Sequence, residues 1–228
     1  MTRGTHSLAL RDYEVRAILR GATQLRRPVD LERQRAIPDD VEITFGESGY
    51  ARLTWQAADG LTRLGMIESP FGMPGAERWV TEPWAWIGNK VWYKADSGLP
   101  GYADLGWYTA NLKQNGKCWL SAARMSRKCA RLQIWITSIA LKRLHDMTAE
   151  QAAACKGGVT LPEHGGQCFE LSREPLYFTD CPACKVKSHF IGDWWNDMGR
   201  KAANKLLNTK FNPWVWAVDF ERLGYWSP

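Results

Sequence analysis

The sequence has no apolar run long enough to span a membrane, and its N-terminus, Met-Thr-Arg-Gly-Thr-His-Ser, lacks the apolar core of a secretory signal. We therefore expect a cytoplasmic protein without a membrane partner. The sequence also contains no P-loop, GxSxG, HExxH or paired-carboxylate signature and no internal repeat. Nothing in it points to the enzyme classes that those signatures mark.

The composition is that of a folded, basic protein. The 228 residues suffice for one large domain or for a domain with an insertion, and 45% are hydrophobic. The 13 tryptophans indicate either a Trp-filled core, which is the favoured interpretation, or a surface that stacks planar groups. A net charge of +6 and a pI near 9.0 favour polyanionic partners, nucleic acid first among them.

Short strands and few, short helices follow from the hydrophobic periodicity, which predicts an α+β fold built on a small β-barrel. A capping box at Thr148 and Gln151 opens one helix, which ends at Gly157-Gly158. The mixed charges of 30–35 predict a solvated surface segment, and the Gly-rich segment 96–106 predicts a long loop. The predicted strands are 8–10, 41–45, 51–55, 90–94, 132–137 and 214–221, and the other predicted helices are 13–20, capped by Asp12, and 193–208.

The segment 70–86, PFGMPGAERWVTEPWAW, places two Pro-Gly turns directly before residues that suit a strand. We expect a tight corner that launches a strand toward a site.

Four cysteines have the spacing C-x12-C-x12-C-x2-C. Thiolates at the C-x2-C spacing can share one tetrahedral zinc, which would stabilise a core-poor, Cys-rich insertion at about 155–190. His164 or His189 could replace the first cysteine as a ligand. Unconnected thiols and a redox dithiol are the alternatives, and the latter is disfavoured because no βαβ pattern surrounds the pair. The predicted structural zinc ligands are Cys155, Cys168, Cys181 and Cys184.

The segment 70–86 resembles the Pro-Tyr-Gly-x-Pro-Gly-[acidic]-x-Leu-Trp-Val-x-Glu-x-Trp segment of ASCH-domain proteins of the phage and prophage type, members of the PUA-like superfamily. LALRDYEVRAILRGATQLRR, SAARMSRKCARLQIWIT, LHDMTAEQAAACKGG and NPWVWAVDFERL are similar to further family segments in the same order. The similarity covers most of 6–157 and 191–223. It implies that residues 1–228 form a single PUA-like domain with short flanking helices, in the host cytosol if a phage encodes it.

Small ASCH enzymes hydrolyse the amide of N4-acetylcytidine with a Lys, a Thr and a Glu. The matching positions here hold Ala22, Leu25 and Trp135, which cannot transfer a proton or act as a nucleophile, so this activity is not expected. The matched basic positions suit anion binding instead, with Trp79, Trp84 and Trp86 available to stack a base. The predicted nucleic-acid-binding residues are Thr23, Arg26, Arg27, Trp79, Trp84, Arg124, Arg127, Lys128 and Arg131.

The sequence therefore predicts a module that binds RNA or a single-stranded or modified nucleotide in a basic, Trp-lined cleft, with no catalytic residues assigned. Two alternatives stay open. The protein could be a nucleoside or nucleic-acid hydrolase that uses a different site. It could also be a phage protein whose Cys-rich insertion docks on a protein partner of the host defence.

Overall fold

The computed structural model describes residues 6–46, 48–87, 90–96, 119–163, 165, 181–198 and 212–225. It confirms the α+β class, since strands predominate over a few helices. The helices are α1 (Asp12–Leu19), α2 (Leu31–Ala36), α3 (Ala149–Lys156) and α4 (Pro182–Met198). The strands are β1 (His6–Ala9), β2 (Gln24–Pro28), β3 (Glu42–Phe45), β4 (Tyr50–Gln56), β5 (Thr62–Glu68), β6 (Glu77–Thr81), β7 (Trp84–Ile87), β8 (Lys90–Tyr93), β9 (Leu132–Arg143) and β10 (Trp214–Tyr225).

The strands pair in three sheets. One has five strands in the order β1-β6-β9-β10-β2, one has the order β3-β4-β5, and the third is the β7-β8 hairpin. Within the described ranges these sheets do not close into the small barrel that we expected. The chain divides into two compact units: unit 1 comprises Met1–Arg20, Ala76–Trp135 and Glu221–Pro228, and unit 2 comprises Gly21–Gly75 and Ile136–Phe220.

Unit 1 contains the predicted first strand and first helix. Strand β1 runs parallel to β6, and β6 runs antiparallel to the start of β9. Helix α1 buries Val15 and Ile18, which lie three residues apart and therefore on one face. Its N-cap is Arg11 rather than the predicted Asp12, because the Arg11 backbone N–H donates to Glu14 Oε2 at 2.7 Å. Asp12 is the first helical residue.

Unit 2 contains the predicted hairpin. Strands β3 and β4 are antiparallel, as the alternation in the sequence predicts, and β5, which was not predicted, adds to the other side of β4. The corner before β6 is tight. Gly72 has a φ of 85°, and its carbonyl oxygen would lie 3.0 Å from a Cβ at Gly49, whose φ is 82°, so the backbones meet where neither residue has a side chain.

Strand β10 is more deeply buried than its alternating sequence suggests. We expected one apolar face, but the side chains from Trp214 to Val218 are all buried, Val215 and Ala217 included. Within unit 2, β10 pairs with β2. The charged residues of segment 30–35 are exposed, as predicted, but the segment forms most of helix α2, and its Gln34 is fully buried. This helix was not predicted, because its sequence, LERQRA, has no apolar stripe at helical spacing.

The capping box of α3 is confirmed, since Thr148 Oγ1 accepts from the Gln151 backbone N–H and Gln151 Oε1 accepts from the Thr148 backbone N–H.

The next helix begins earlier than predicted. Helix α4 starts at Pro182, a favoured first helical residue, so the C-x2-C pair lies at a helix start rather than in a core-poor insertion. Ile191 and Trp194 of α4 pack with Cys155 of α3. The middle of the predicted insertion, 166–180, and the predicted helical segment 199–208 lie outside the described residues, as does the predicted loop beyond Asp96.

Among the described helices, none combines the length and the apolar composition that crossing a membrane requires.

Candidate nucleic-acid interface

The predicted nucleic-acid-binding residues divide between the two units. Thr23, Arg26 and Arg27 belong to unit 2, and the other six belong to unit 1. Each group is described by itself below.

The unit 2 group lies on and beside β2, a strand that was not predicted. Thr23 is exposed, and its backbone groups bond to Ala154 and Phe220. Arg26 is only 5% exposed. Its Nη1 donates to the Leu25 carbonyl and its Nη2 to Gln24 Oε1, both at 3.1 Å. The guanidinium of Arg26 therefore bonds to neighbouring residues of the chain rather than facing solvent.

Arg27, the neighbour of Arg26, is half-buried. Its guanidinium carbon lies 5.1 Å from the ring centroid of Phe71, a fully buried residue of the corner before β6. A cation at this distance over an aromatic face is attracted by the ring quadrupole. Arg27 therefore stabilises the corner of unit 2.

In unit 1, the β7-β8 hairpin provides one face for the predicted site. Trp84 lies opposite Tyr93 and Trp86 lies opposite Val91, and residues directly opposite in an antiparallel pair share a face. The segment 119–131, called here the basic segment, lies against this face. Leu120 and Trp84 exchange two backbone hydrogen bonds of 2.7 and 3.2 Å, and Met125 and Ala130 pack on Trp84 with Trp79 alongside.

The basic segment separates its apolar and cationic side chains by means of two 3-10 turns, Ala122–Arg124 and Arg127–Cys129. Its Met125 and Ala130 are buried, and these two residues anchor it to the hairpin. The three cations of the two turns, Arg124, Arg127 and Lys128, are exposed. The segment thus brings three positive charges to the surface over a firmly packed base.

The tryptophans of this unit differ in what they can contact. Trp84 is buried and Trp79 is half-buried, and both pack against the basic segment. Trp86 lies on the same face of the hairpin as Trp84, but 58% of its surface is exposed. Among the described tryptophans of unit 1, Trp86 thus has the most exposed side chain, on the hairpin face where the basic segment packs on Trp84.

Arg131, the last residue of the basic segment, is held inside unit 1 by two buried carboxylates. Its Nε and Nη2 donate to the two oxygens of Glu82 at 2.9 and 3.0 Å, and its Nη1 lies 2.7 Å from Asp96. The Tyr93 ring lies 4.0 Å from the guanidinium carbon. Burial lowers the pKa of Arg131, but the hydrogen bonds and charges of Glu82 and Asp96 outweigh that effect and raise it. The guanidinium stays charged, and its fork is used within the unit.

A second ion pair links α1 to the 3-10 turn after β8, where Lys94 Nζ lies 2.8 Å from Asp12 Oδ2. No prediction from the sequence assigned a role to Glu82, Asp96 or Lys94. The sequence offers one indication of this site, namely that the carboxylate of Glu82 directly follows the uncharged residues Trp79-Val80-Thr81 at the end of a strand. A buried carboxylate in that position requires a cation, and Arg131 is the cation that the structure supplies.

Three of the four predicted zinc ligands are described, and they lie in two apolar clusters of unit 2. Cys155 packs with Leu144, Ile191 and Trp194, and burial raises the pKa of its thiol to about 12, so that it is protonated at neutral pH. Cys181 and Cys184 pack around Ala149 and Leu161. The described part of the chain contains no group of three or more His, Cys, Asp or Glu residues that could hold a metal. Cys168 and His164 lie outside that part, and the zinc site stays a prediction.

Comparisons with known proteins add no assignment. No family model matches the chain, and no curated protein and no solved structure matches it either. The resemblance to ASCH-domain proteins remains a hypothesis.

Proposed function

We propose that this chain is a PUA-like protein of the ASCH type that binds single-stranded or modified nucleic acid in the cytoplasm. We assign the binding surface to unit 1, namely to the basic segment and Trp86. The observation that carries this proposal is the arrangement on one hairpin face, where a segment with three exposed cations packs on Trp84 and the exposed Trp86 lies two residues farther along the same strand face.

Each part of this surface matches a requirement of single-stranded nucleic acid. Arginine and lysine neutralise phosphates and release counterions, and an arginine fork engages two phosphate oxygens. An indole face stacks a base without requiring a particular sequence. The net charge of +6 favours the approach of a polyanion to the whole chain.

The remaining predicted residues have supporting roles in this proposal. Trp79 and Trp84 form the base on which the basic segment packs. Arg131 fixes the end of that segment through Glu82 and Asp96 and thereby positions the exposed cations. Thr23, Arg26 and Arg27 lie in unit 2 and are not part of the surface that we assign.

The proposal is tested by fluorescence anisotropy with labelled RNA and DNA single strands over a series of salt concentrations. The triple variant R124Q/R127Q/K128Q should bind more weakly, and the slope of log K against log salt should fall by about 2, since each lost single-strand phosphate contact removes about 0.7. Trp86→Ala should weaken binding by about tenfold with little change in the slope, and Trp86→Phe should retain part of the affinity.

A matched control separates the assigned surface from general charge. The variant R35Q/K142Q/K185Q removes the same charge from three exposed residues of unit 2 and should leave the salt slope nearly unchanged. Equal losses in the two triple variants would show nonspecific attraction only and would overturn the proposed surface. Cleavage of the oligonucleotide by the pure protein would instead favour the hydrolase alternative.

A further inference from the structure

Strand β5 of unit 2 carries the two most exposed large apolar residues of the described chain. Leu64 is 71% exposed and Met66 is 64% exposed. The two residues are separated by one position and therefore lie on the same face of the strand. Their neighbours across β4, Thr54 and Arg52, do not cover them.

Strand β5 is also an edge of its sheet. The order is β3-β4-β5, and no described strand pairs with the outer side of β5. Natural proteins usually protect such edges with charges, prolines or bulges, because free backbone groups recruit another strand. In 63–67 the only charge is that of Arg63, whose Nη2 lies 2.6 Å from Asp59 of the same chain. An edge with two exposed apolar side chains on one face has the character of an interface.

The sequence of β5 is complementary to itself in one antiparallel register. Directly opposite residues share a face of the sheet. The twofold axis of such a pair must therefore lie level with one residue of the strand, which then faces the same residue of the second copy, and not halfway between two residues. With the axis at Gly65, Leu64 lies opposite Met66 of the second copy, and Met66 lies opposite its Leu64. The four exposed apolar side chains then form one cluster.

The other positions tolerate this register. Gly65 lies opposite Gly65 of the second copy, on the face of β5 opposite to Leu64 and Met66. It adds no side chain there, where a Cβ on Gly65 would lie 3.3 Å from the Trp55 ring. Arg63 lies opposite Ile67, so no like charges oppose one another. At the end of the strand, Arg33 Nη1 lies 3.4 Å from the Glu68 carbonyl oxygen. The pairing therefore spans 63–67.

We propose that β5 is the contact surface of a homodimer, in which two copies of this chain pair their β5 strands antiparallel about Gly65. The interface is small, because five residues per copy pair, and the dimer is of the weak, concentration-dependent kind. It forms a continuous six-stranded sheet from two β3-β4-β5 sheets.

Sedimentation velocity of the full chain from about 1 to about 100 μM, the range of weak association, tests this proposal. Wild type should convert from monomer to dimer across the series. Because the Leu64–Met66 pair occurs twice in the dimer, Met66→Lys or Leu64→Glu should each weaken association on the order of tenfold. Both side chains are exposed, so neither substitution should disturb folding.

The double variant L64E/M66K makes the test specific to the register. About Gly65 the introduced acid faces the introduced base in both pairs, so association should recover. An axis at position 64 or 66 would oppose like charges instead. A wild-type chain that stays monomeric throughout, a dimer that persists in Met66→Lys, or a double variant no better than the single ones would each overturn the proposal. The first outcome would leave the edge to a different protein.

Discussion

Arg131 and Glu82 form a bidentate pair in which two guanidinium nitrogens meet both oxygens of one carboxylate that is only 1% exposed. The pair joins the residue after β6 to the residue before β9, and Asp96 extends it to the 3-10 turn after β8. It therefore ties three segments of unit 1 together at the end of the basic segment.

Glu82→Gln should destabilise the protein by about 3 kcal/mol, because removing one partner leaves a buried charge with less compensation. Asp96 still accepts from Arg131, which keeps the loss at the lower end for a buried pair. Urea unfolding followed by Trp fluorescence measures the change. The matched control is Asp59→Asn, which breaks the exposed Arg63 pair and should change the midpoint little. Similar losses in both variants would contradict the assigned role of Glu82.

Gln34→Ala should cost about 3 kcal/mol of unfolding free energy, because the side chain serves both backbone groups of Trp214. Gln34 Oε1 accepts from the Trp214 backbone N–H at 2.8 Å, and its Nε2 donates to the Trp214 carbonyl and to Val29. Truncation leaves the buried Trp214 N–H without its acceptor, whereas the Trp214 carbonyl keeps the bond from the Val29 backbone N–H at 3.1 Å. Arg35→Ala on the same helix, an exposed position, should stay within about 0.5 kcal/mol. A Gln34→Ala protein with the wild-type urea midpoint would refute this assignment.

His145 should make the protein less stable in mild acid. Burial and, to a smaller extent, the charge of Lys187 lower its pKa, while Asp146 acts in the opposite direction. Below the ordinary pKa near 6.5 the unfolded chain takes up a proton that the folded chain does not, so the free energy of unfolding falls as the pH decreases from 6.5 toward the folded pKa. The slope contributed by His145 is at most about 1.4 kcal/mol per pH unit.

Urea unfolding at pH 7.5 and at pH 5.5 isolates this effect when wild type is compared with Lys187→Gln. Removing the nearby cation allows the folded state to protonate His145 more readily, so the loss between the two pH values should become smaller. His145→Gln should show the smallest loss of the three proteins. Identical pH dependence in all three would contradict the prediction.

The parts of the fold that were predicted correctly have local causes. Each of these features is determined by residues within a few positions of one another. They are the alternation of β3 and β4, the capping box at Thr148, and the buried residues Leu132, Ile134 and Ile136 of β9. Helix α2 could not be predicted in this way. Its Gln34 is buried although it is polar, and the partner that justifies burying it, Trp214, lies 180 positions away.

The candidate site shows the same limit. A sequence reveals that Arg124, Arg127, Lys128 and Arg131 are close along the chain, but not that Arg131 faces inward toward Glu82 while the other three are exposed. The distinction depends on a carboxylate 49 positions away. Likewise, Arg26 and Arg27 resemble a surface pair in the sequence, whereas their strand places one in the protein interior and the other over Phe71.

The bond between Gln34 and Trp214 has a consequence for biosynthesis, because its two ends leave the ribosome 180 residues apart. At 5–20 residues per second, α2 and the adjoining β2 wait roughly 10–40 s for their partner strand. During that interval β2 presents an unpaired backbone to the crowded cell. Slower translation lengthens this interval and, with it, the time in which an unpaired strand is exposed to aggregation.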